Sequence, residues 1–277
     1  MPVQAQTPLI NLHAAARARS EAGVAEDQYI IGHDYSIGFE VPQDDAEAVR
    51  WFRLAADQGH ADAQFQLWIM YSIGQGVPMD HVEGMRWKRM AADHGHVEAQ
   101  YKLGVDYSTD LSLLPQYEQD DAEAMRWYRL AADQGHAGAQ YELGNMYATG
   151  RGDPQHYAEA ARWYRLAADQ GVAWAQSYLG NMYETGEGVQ PSYVQAHMWH
   201  NLVASRTTGE QRESAVEARD RVAGLMIPTQ ITEAQRLARD WDAAHPRGPR
   251  DPVLVELEKI YDALGGALNI LKFPPAA

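Results

Sequence analysis

Four charged residues recur as a set along the chain: Glu47, Arg50, Arg53 and Asp57, spaced 3, 3 and 4 apart. The set returns as Glu83, Arg86, Arg89, Asp93, then as Glu123, Arg126, Arg129, Asp133, then as Glu159, Arg162, Arg165, Asp169. On a helix this spacing places all four side chains on one face. Stacked copies would raise two arginine ladders flanked by carboxylates. Two kinds of chemistry follow. The arginines close ion pairs within and between helices, each contributing little on a solvated face, or they line a polar groove that takes a peptide's carboxylates or backbone.

Other reactive residue types are present without a reactive arrangement. His60, His96 and His136 are about one repeat apart, too far to share a metal, and read as surface turn residues. His197 and His200 are spaced i, i+3, which can hold zinc, but they occupy slots filled by Met125 and Ala161, and by Tyr128 and Tyr164, in other copies. No third ligand is evident for them. The chain shows no phosphate-binding glycine loop, metalloprotease helix or nucleophile elbow. No catalytic residue, metal or cofactor is expected.

Two apolar features also point to recognition. Trp174 and Tyr178 stand where other copies carry Asp62 and Gln66, Glu98 and Lys102, or Gly138 and Glu142. An i, i+4 aromatic pair in solvent-type slots either packs under later helices or forms an exposed hot spot. Residues 108–120 hold four extra residues and carry Leu111, Leu113, Leu114 and Tyr117 in a connecting loop. Loops that rich in apolar groups fold back or meet a partner. The candidate partner-binding residues are thus Arg50, Arg53, Arg86, Arg89, Arg126, Arg129, Arg162, Arg165, Trp174, Tyr178, Leu113, Leu114 and Tyr117.

The elements that position them follow from a period. Trp51, Trp87, Trp127, Trp163 and Trp199 are spaced by 36, 40, 36 and 36 residues. Each copy reads as two helices. Helix A carries Ala48, Trp51, Leu54 and Ala55 at helical spacing, repeated as Ala124, Trp127, Leu130 and Ala131. Gly59, Gly95, Gly135 and Gly171 close it. Helix B carries Leu67, Met70 and Tyr71, repeated as Leu143, Met146 and Tyr147, and ends at Gly74, Gly150 and Gly186. Gln28, Gln64, Gln100, Gln140 and Gln176 hold one slot on an otherwise apolar face, and are expected to satisfy backbone groups of a neighbouring turn. Trp68 replaces a glycine found as Gly32, Gly104, Gly144 and Gly180, while Lys88 replaces the ring of Phe52, Tyr128 and Tyr164. The Trp68 indole is expected to fill the space of the missing ring, against the Lys88 stem.

A single helical pair cannot bury its own apolar face, so the copies must stack into a solenoid. The fold class expected is all-α: a right-handed αα-solenoid of about five to six helix–turn–helix repeats plus C-terminal capping helices. The repeats span 1–205, with a worn first copy near Asn11 in which Ala15 replaces the tryptophan. Capping helices span 206–245, one over Thr208–Met226 and one capped by Thr229 and running to about Ala244. Residues 246–277 hold a linker and an apolar tail. Val253–Leu264 reads as a short amphipathic helix with Leu254, Leu257, Tyr261 and Leu264 on one side. The tail docks in cis or mediates self-association through 253–273.

Composition narrows the partners. The 277 residues carry a net charge of −15, which argues against nucleic acid, since phosphate binding needs a basic surface. There is no cysteine, so neither a disulfide framework nor thiol chemistry is available. No stretch reaches the ~18–20 apolar residues of a membrane span, and no signal peptide is visible. A cytoplasmic location is expected for the sequence as given, periplasmic or secreted if a leader is removed.

These residues resemble the Sel1-like repeat family, a relative of the tetratricopeptide repeats, over about residues 11–205. The pattern A-x-x-W-Y-x-x-A-A-x-x-G-x-A-x-A-Q-x-x-L-G-x-M-Y-x-x-G-x-G-V is matched nearly throughout by Ala160–Gly188, including Trp163, Tyr164, Gly171, Gln176, Leu179, Gly180, Met182 and Tyr183. The resemblance implies an αα superhelix, with the A helices on its concave side, that acts as a non-enzymatic scaffold or adaptor for a protein or peptide partner. A cysteine-rich branch of the family binds small β-lactam-type ligands. Without cysteine, this chain departs from it, and a small-ligand or hydrolase activity is disfavoured. A structural homo-oligomer built through the tail is the other alternative.

Overall fold

A computed structural model describes residues 23–109 and 120–246. Among them are twelve helices and no strand. In chain order they are α1 (Ala25–Ile37), α2 (Asp45–Ala56), α3 (Ala61–Ile73), α4 (His81–Asp93), α5 (Val97–Ser108) and α6 (Asp121–Asp133). They continue as α7 (Ala137–Thr149), α8 (Tyr157–Asp169), α9 (Ala173–Thr185), α10 (Tyr193–Arg206), α11 (Gly209–Ala223) and α12 (Pro228–Ala244). The even-numbered helices α2 to α10 are the A helices; the odd-numbered α1 to α9 are the B helices. The expected first copy around Asn11 and Ala15, the loop residues Leu111, Leu113, Leu114 and Tyr117, and the tail from 247 onward lie outside the described residues.

Local chemistry sets the ends of the helices. Asp44, Asp80 and Asp120 each accept two backbone N–H groups at the start of α2, α4 and α6, meeting donors that the helix itself leaves free. Gly74, Gly150 and Gly186 end B helices in the left-handed conformation, with φ of 74°, 76° and 81°. The glycine two residues later is needed for a second reason. A Cβ on Gly76 would lie 2.2 Å from the Asp45 carbonyl oxygen, and one on Gly188 2.2 Å from that of Tyr157. The B–A turn is therefore pressed onto the start of the preceding A helix.

The most extensive packing joins each B helix to the A helix that follows it; the A-to-B packing is lighter. The tight unit is thus B–turn–A, such as α3 with α4, rather than the tryptophan-led A–B pair. The reason is the small residue at the contact. Gly32, Gly104, Gly144 and Gly180 lie against the rings of Phe52, Tyr128, Tyr164 and His200, where a Cβ would come within 2.4–2.7 Å. In the α3–α4 unit the large and small partners are exchanged: the Lys88 ammonium lies 5.0 Å above the Trp68 ring and 2.5 Å from Asp106 Oδ2.

The core holds Ala48, Trp51, Phe52, Ala55 and Ala56 from α2, and Ala63, Leu67, Met70 and Tyr71 from α3, with their equivalents in later repeats. Leu54 and Leu130 depart from the expected pattern. With Leu166 they are 40%, 40% and 39% exposed. At 100° per residue, Leu54 falls beside Arg50 on the outer face, while Ala48, Ala55 and Phe52 centre the buried one. Small alanines suffice for a helix held between two others, so the leucine is left on the surface.

The array ends in two helices laid on α10. α12 begins one residue before the expected cap: Pro228 opens it, and the Gln230 side chain accepts the Ile227 N–H at 3.0 Å. Proline suits that first position because its missing N–H would be unpaired anyway. α11 starts at Gly209, where Thr208 makes no side-chain cap bond.

Candidate partner-binding face

The recurring charge set lies on the outer face of the A helices and divides into two rows. In the first, Arg50, Arg86, Arg126 and Arg162 pair with Glu47, Glu83, Glu123 and Glu159 at 2.9, 2.9, 3.1 and 3.2 Å. Each guanidinium also lies over the adjacent tryptophan ring, at 4.8, 5.3, 4.1 and 4.8 Å. These side chains stay half exposed, so their ion pairs contribute little to stability and their outer N–H groups remain open to a ligand.

The second row is engaged in joining helices. Arg53, Arg89, Arg129 and Arg165 donate to the hydroxyls of Tyr71, Tyr107, Tyr147 and Tyr183 on the B helix of the next unit. Arg89 and Arg165 also lie over the following tryptophans, Trp127 at 5.1 Å and Trp199 at 5.3 Å. Leu54, Leu130 and Leu166, with the partly buried Met90, run beside the first row. The A-helix face therefore presents an apolar row edged by stacked, partly open arginines.

α10 shows what that face holds when it is filled. Its residues at the Arg162 and Leu166 slots are Met198 and Leu202, and they are only 5% and 1% exposed. Leu202 and Trp199 share a core with Leu237, Ala238 and Trp241 of α12. The Trp241 ring meets Trp199 edge-on at 6.0 Å and 68°. Arg206 closes the contact, stacking 4.6 Å over Trp241 and donating to Asp242 at 2.6 Å and to the His245 carbonyl at 2.6 Å. An amphipathic helix thus sits on the A face of the last repeat. Sequence reading did not single out Met198 or Leu202. The signal was the loss of the charge set there, where Gln195, Met198, Asn201 and Ser205 replace Glu159, Arg162, Arg165 and Asp169.

Trp174 and Tyr178 lie on α9, a B helix, and so not on the arginine face. They are 56% and 42% exposed. Tyr178 stacks on Tyr164 at 5.2 Å and 7°, so the pair is anchored at one end and open at the other.

The turn histidines do more than decorate the surface. Nδ1 of His60, His96 and His136 accepts the backbone N–H of Ala63, Ala99 and Ala139 at 3.3, 3.1 and 3.0 Å, capping a B helix. That leaves the proton on Nε2, which in His60 and His136 donates back to Glu26 and Glu98 of the preceding B helix at 3.0 and 3.1 Å, while in His96 it lies 3.3 Å from Asp62. The rings stack on Tyr29, Phe65 and Tyr101. Each histidine is therefore a cap and an inter-repeat clasp at once. Burial pushes the His96 imidazole below its ordinary value despite the nearby Asp62 and Glu98.

The repeated glutamines form a second inter-repeat chain. Gln64, Gln100, Gln140 and Gln176 donate to the carbonyls of Ala56, Ala92, Ala132 and Ala168 at 2.8–3.2 Å. The oxygens of Gln64, Gln100 and Gln140 meet the next turn: His94 Nδ1 lies 2.8 Å from that of Gln64, Gln134 donates to Gln100 at 2.8 Å and Gln170 to Gln140 at 2.7 Å. His197 and His200 are core residues, 3% and 2% exposed.

Among the described residues no group of three or more His, Asp or Glu is placed to hold a metal ion, and no helix is long and apolar enough to cross a membrane. A cleft of ≈ 430 Å³ at the A–B turns, lined by Asp62, His94, His96, Glu98 and His136, is open to solvent.

A one-dimensional stack of helical pairs with a long open face defines a helical-repeat protein. The chain belongs to the Sel1 repeat family, whose model matches residues 25–60, 61–96, 97–136, 137–172 and 175–206. Each matched unit runs from a B helix through the following A helix, the pairing that packing favours. Members are generally protein-interaction scaffolds. Among solved structures, a Sel1 repeat protein from Oxalobacter formigenes is similar at 27% identity and a TM-score of 0.60, covering 82% of this chain and 99% of that one. A protective antigen of uropathogenic Escherichia coli matches at 22% identity and a TM-score of 0.42, over 96% of this chain and 68% of its own. An immunity protein from Pseudomonas aeruginosa matches at 20% identity and 0.40, over 86% and 80%. A search of curated proteins found no match.

Proposed function

We propose that the protein is a non-enzymatic scaffold that binds a helical segment of a protein partner along the A-helix face of α4, α6 and α8. The observation that carries this reading is α12 on α10: a helix with small and aromatic residues buries the slots that elsewhere hold Leu130 and Leu166. Among the described residues nothing is seated on the same slots in the preceding repeats, where Leu130 and Leu166 are 40% and 39% exposed, and stacked arginines border them. A partner helix with an apolar stripe and flanking carboxylates suits that surface, through burial of the leucine row and pairing to the outer N–H groups of Arg86, Arg126 and Arg162.

Affinity capture from the native host tests the reading. The full chain is compared with Arg126→Ala/Leu130→Ser and, for the other face, Trp174→Ala/Tyr178→Ala. Arg129 is left intact because it holds Tyr147. A partner lost from the first variant and kept by the second supports the A face; the reverse pattern moves the site to α9.

A further inference from the structure

The described chain stops on the face just discussed. His245 stacks on Trp241 at 4.1 Å, and its carbonyl accepts from Arg206. Six residues separate Pro246 from Val253, and the seven steps between the two reach roughly 25 Å when extended. Helices in contact pack about 8–10 Å apart, and α8 is joined to α10 through α9, so α8 lies within that span. The stretch that follows, 253–264, has Leu254, Leu257, Tyr261 and Leu264 at helical spacing. A helix of that length is about 18 Å long, enough to cross two repeats.

Charge points the same way. From 251 to 264 the sequence holds Asp251, Glu256, Glu258 and Asp262 against a single Lys259. Arg126 and Arg162 stand half exposed beside Leu130 and Leu166. The chain already uses this chemistry once, where Asp242 of the seated α12 meets Arg206 at 2.5 Å.

We propose that segment 253–264 docks in cis on the A-helix face of α8 and α6, covering Leu166 and Leu130 as α12 covers Leu202. The inference rests on reading that face as a helix-docking groove. It adds that the protein carries its own occupant, so a partner helix must displace the tail before it binds. The linker keeps the tail close to the groove, and its effective concentration there is on the order of millimolar. A partner that binds only modestly in isolation is then excluded until it outcompetes the tail.

The chain has no cysteine, so Ala263→Cys gives one attachment point for a nitroxide on the full-length protein. Leucine methyl signals are then read by NMR, with the label oxidised and reduced. The expected result is that Leu166 and Leu130 lose most of their intensity while Leu67 and Leu103, in the core of earlier repeats, do not. Adding Leu257→Asp and Tyr261→Asp should restore both signals. Broadening at neither leucine, or confined to the surface around Trp174 and Tyr178, overturns the proposal. So does broadening that appears only when labelled chain is mixed with separately isotope-labelled chain, which assigns the contact to a second copy. Each of these outcomes leaves the partner-capture experiment to decide the groove itself.

Discussion

The Lys88 ammonium lies over the Trp68 indole at 5.0 Å, inverting the glycine-against-ring contact of the neighbouring repeats. Lys88 also meets Asp106, in the slot held by Met70, Met146 and Met182. Three residues in three helices have changed together. Lys88→Tyr alone crowds its ring onto Trp68 and leaves Asp106 without its closest cation, and should cost about 1–3 kcal/mol or more. The triple variant Trp68→Gly/Lys88→Tyr/Asp106→Met rebuilds the usual contact and should return to within about 1 kcal/mol of the starting chain. Urea denaturation of both variants measures the difference. Equal destabilisation would separate the three sites.

Leu143 and Leu130 separate core from surface. Leu143 is fully buried, and Leu143→Ala should cost about 2–5 kcal/mol. Leu130 is 40% exposed, and Leu130→Ala should fall within about 1 kcal/mol of neutral. Thermal melts that rank the two the other way would reject the assignment of the A-helix face.

The glutamine chain has a built-in comparison. Gln140 links the Ala132 carbonyl to Gln170, whereas the Gln176 oxygen has no partner at the end of the series. Gln140→Leu removes two hydrogen bonds between helices, each contributing about 0.5–1.5 kcal/mol, and should cost about 1–3 kcal/mol. Gln176→Leu removes a group already half unsatisfied and should cost less. Stability curves with no gap between them would deny the inter-repeat role.

His200 gives the fold an acid-sensitive point. Burial pulls its pKa down to about 4, with Glu184 opposing and Arg221 and His197 adding to the drop. The unfolded imidazole titrates near ~6.5. As pH falls below that value the unfolded chain takes up a proton that the native chain refuses. Stability is therefore lost between about pH 6.5 and 4, by on the order of 3 kcal/mol at ~1.4 kcal/mol per unit. His200→Phe, which puts in the Phe52 ring type, should flatten part of that decline. An unchanged pH–stability curve would contradict it.

Much of this architecture was legible because it repeats. A tryptophan recurring at spacings of 36, 40, 36 and 36 residues, with glycines at matching offsets, specifies helices and turns. The glutamine role and the Trp68–Lys88 contact followed from comparing slots. What did not follow was direction. Helical spacing alone assigns Leu54 to either edge of the apolar stripe, and only packing places it beside Arg50. The histidine clasp was missed because its partners, Glu26, Asp62 and Glu98, lie a full repeat away in sequence. The helix seated on α10 was missed because Met198 and Leu202 look like ordinary core residues until the vanished charge set is noticed.

The most direct test of the A face is site-specific photocrosslinking in the host, with a photoreactive phenylalanine derivative in place of Leu130 or of Tyr178. A partner protein crosslinked from position 130 and not from position 178 is the predicted result. Crosslinking from position 178 alone, or from neither position, would contradict the account.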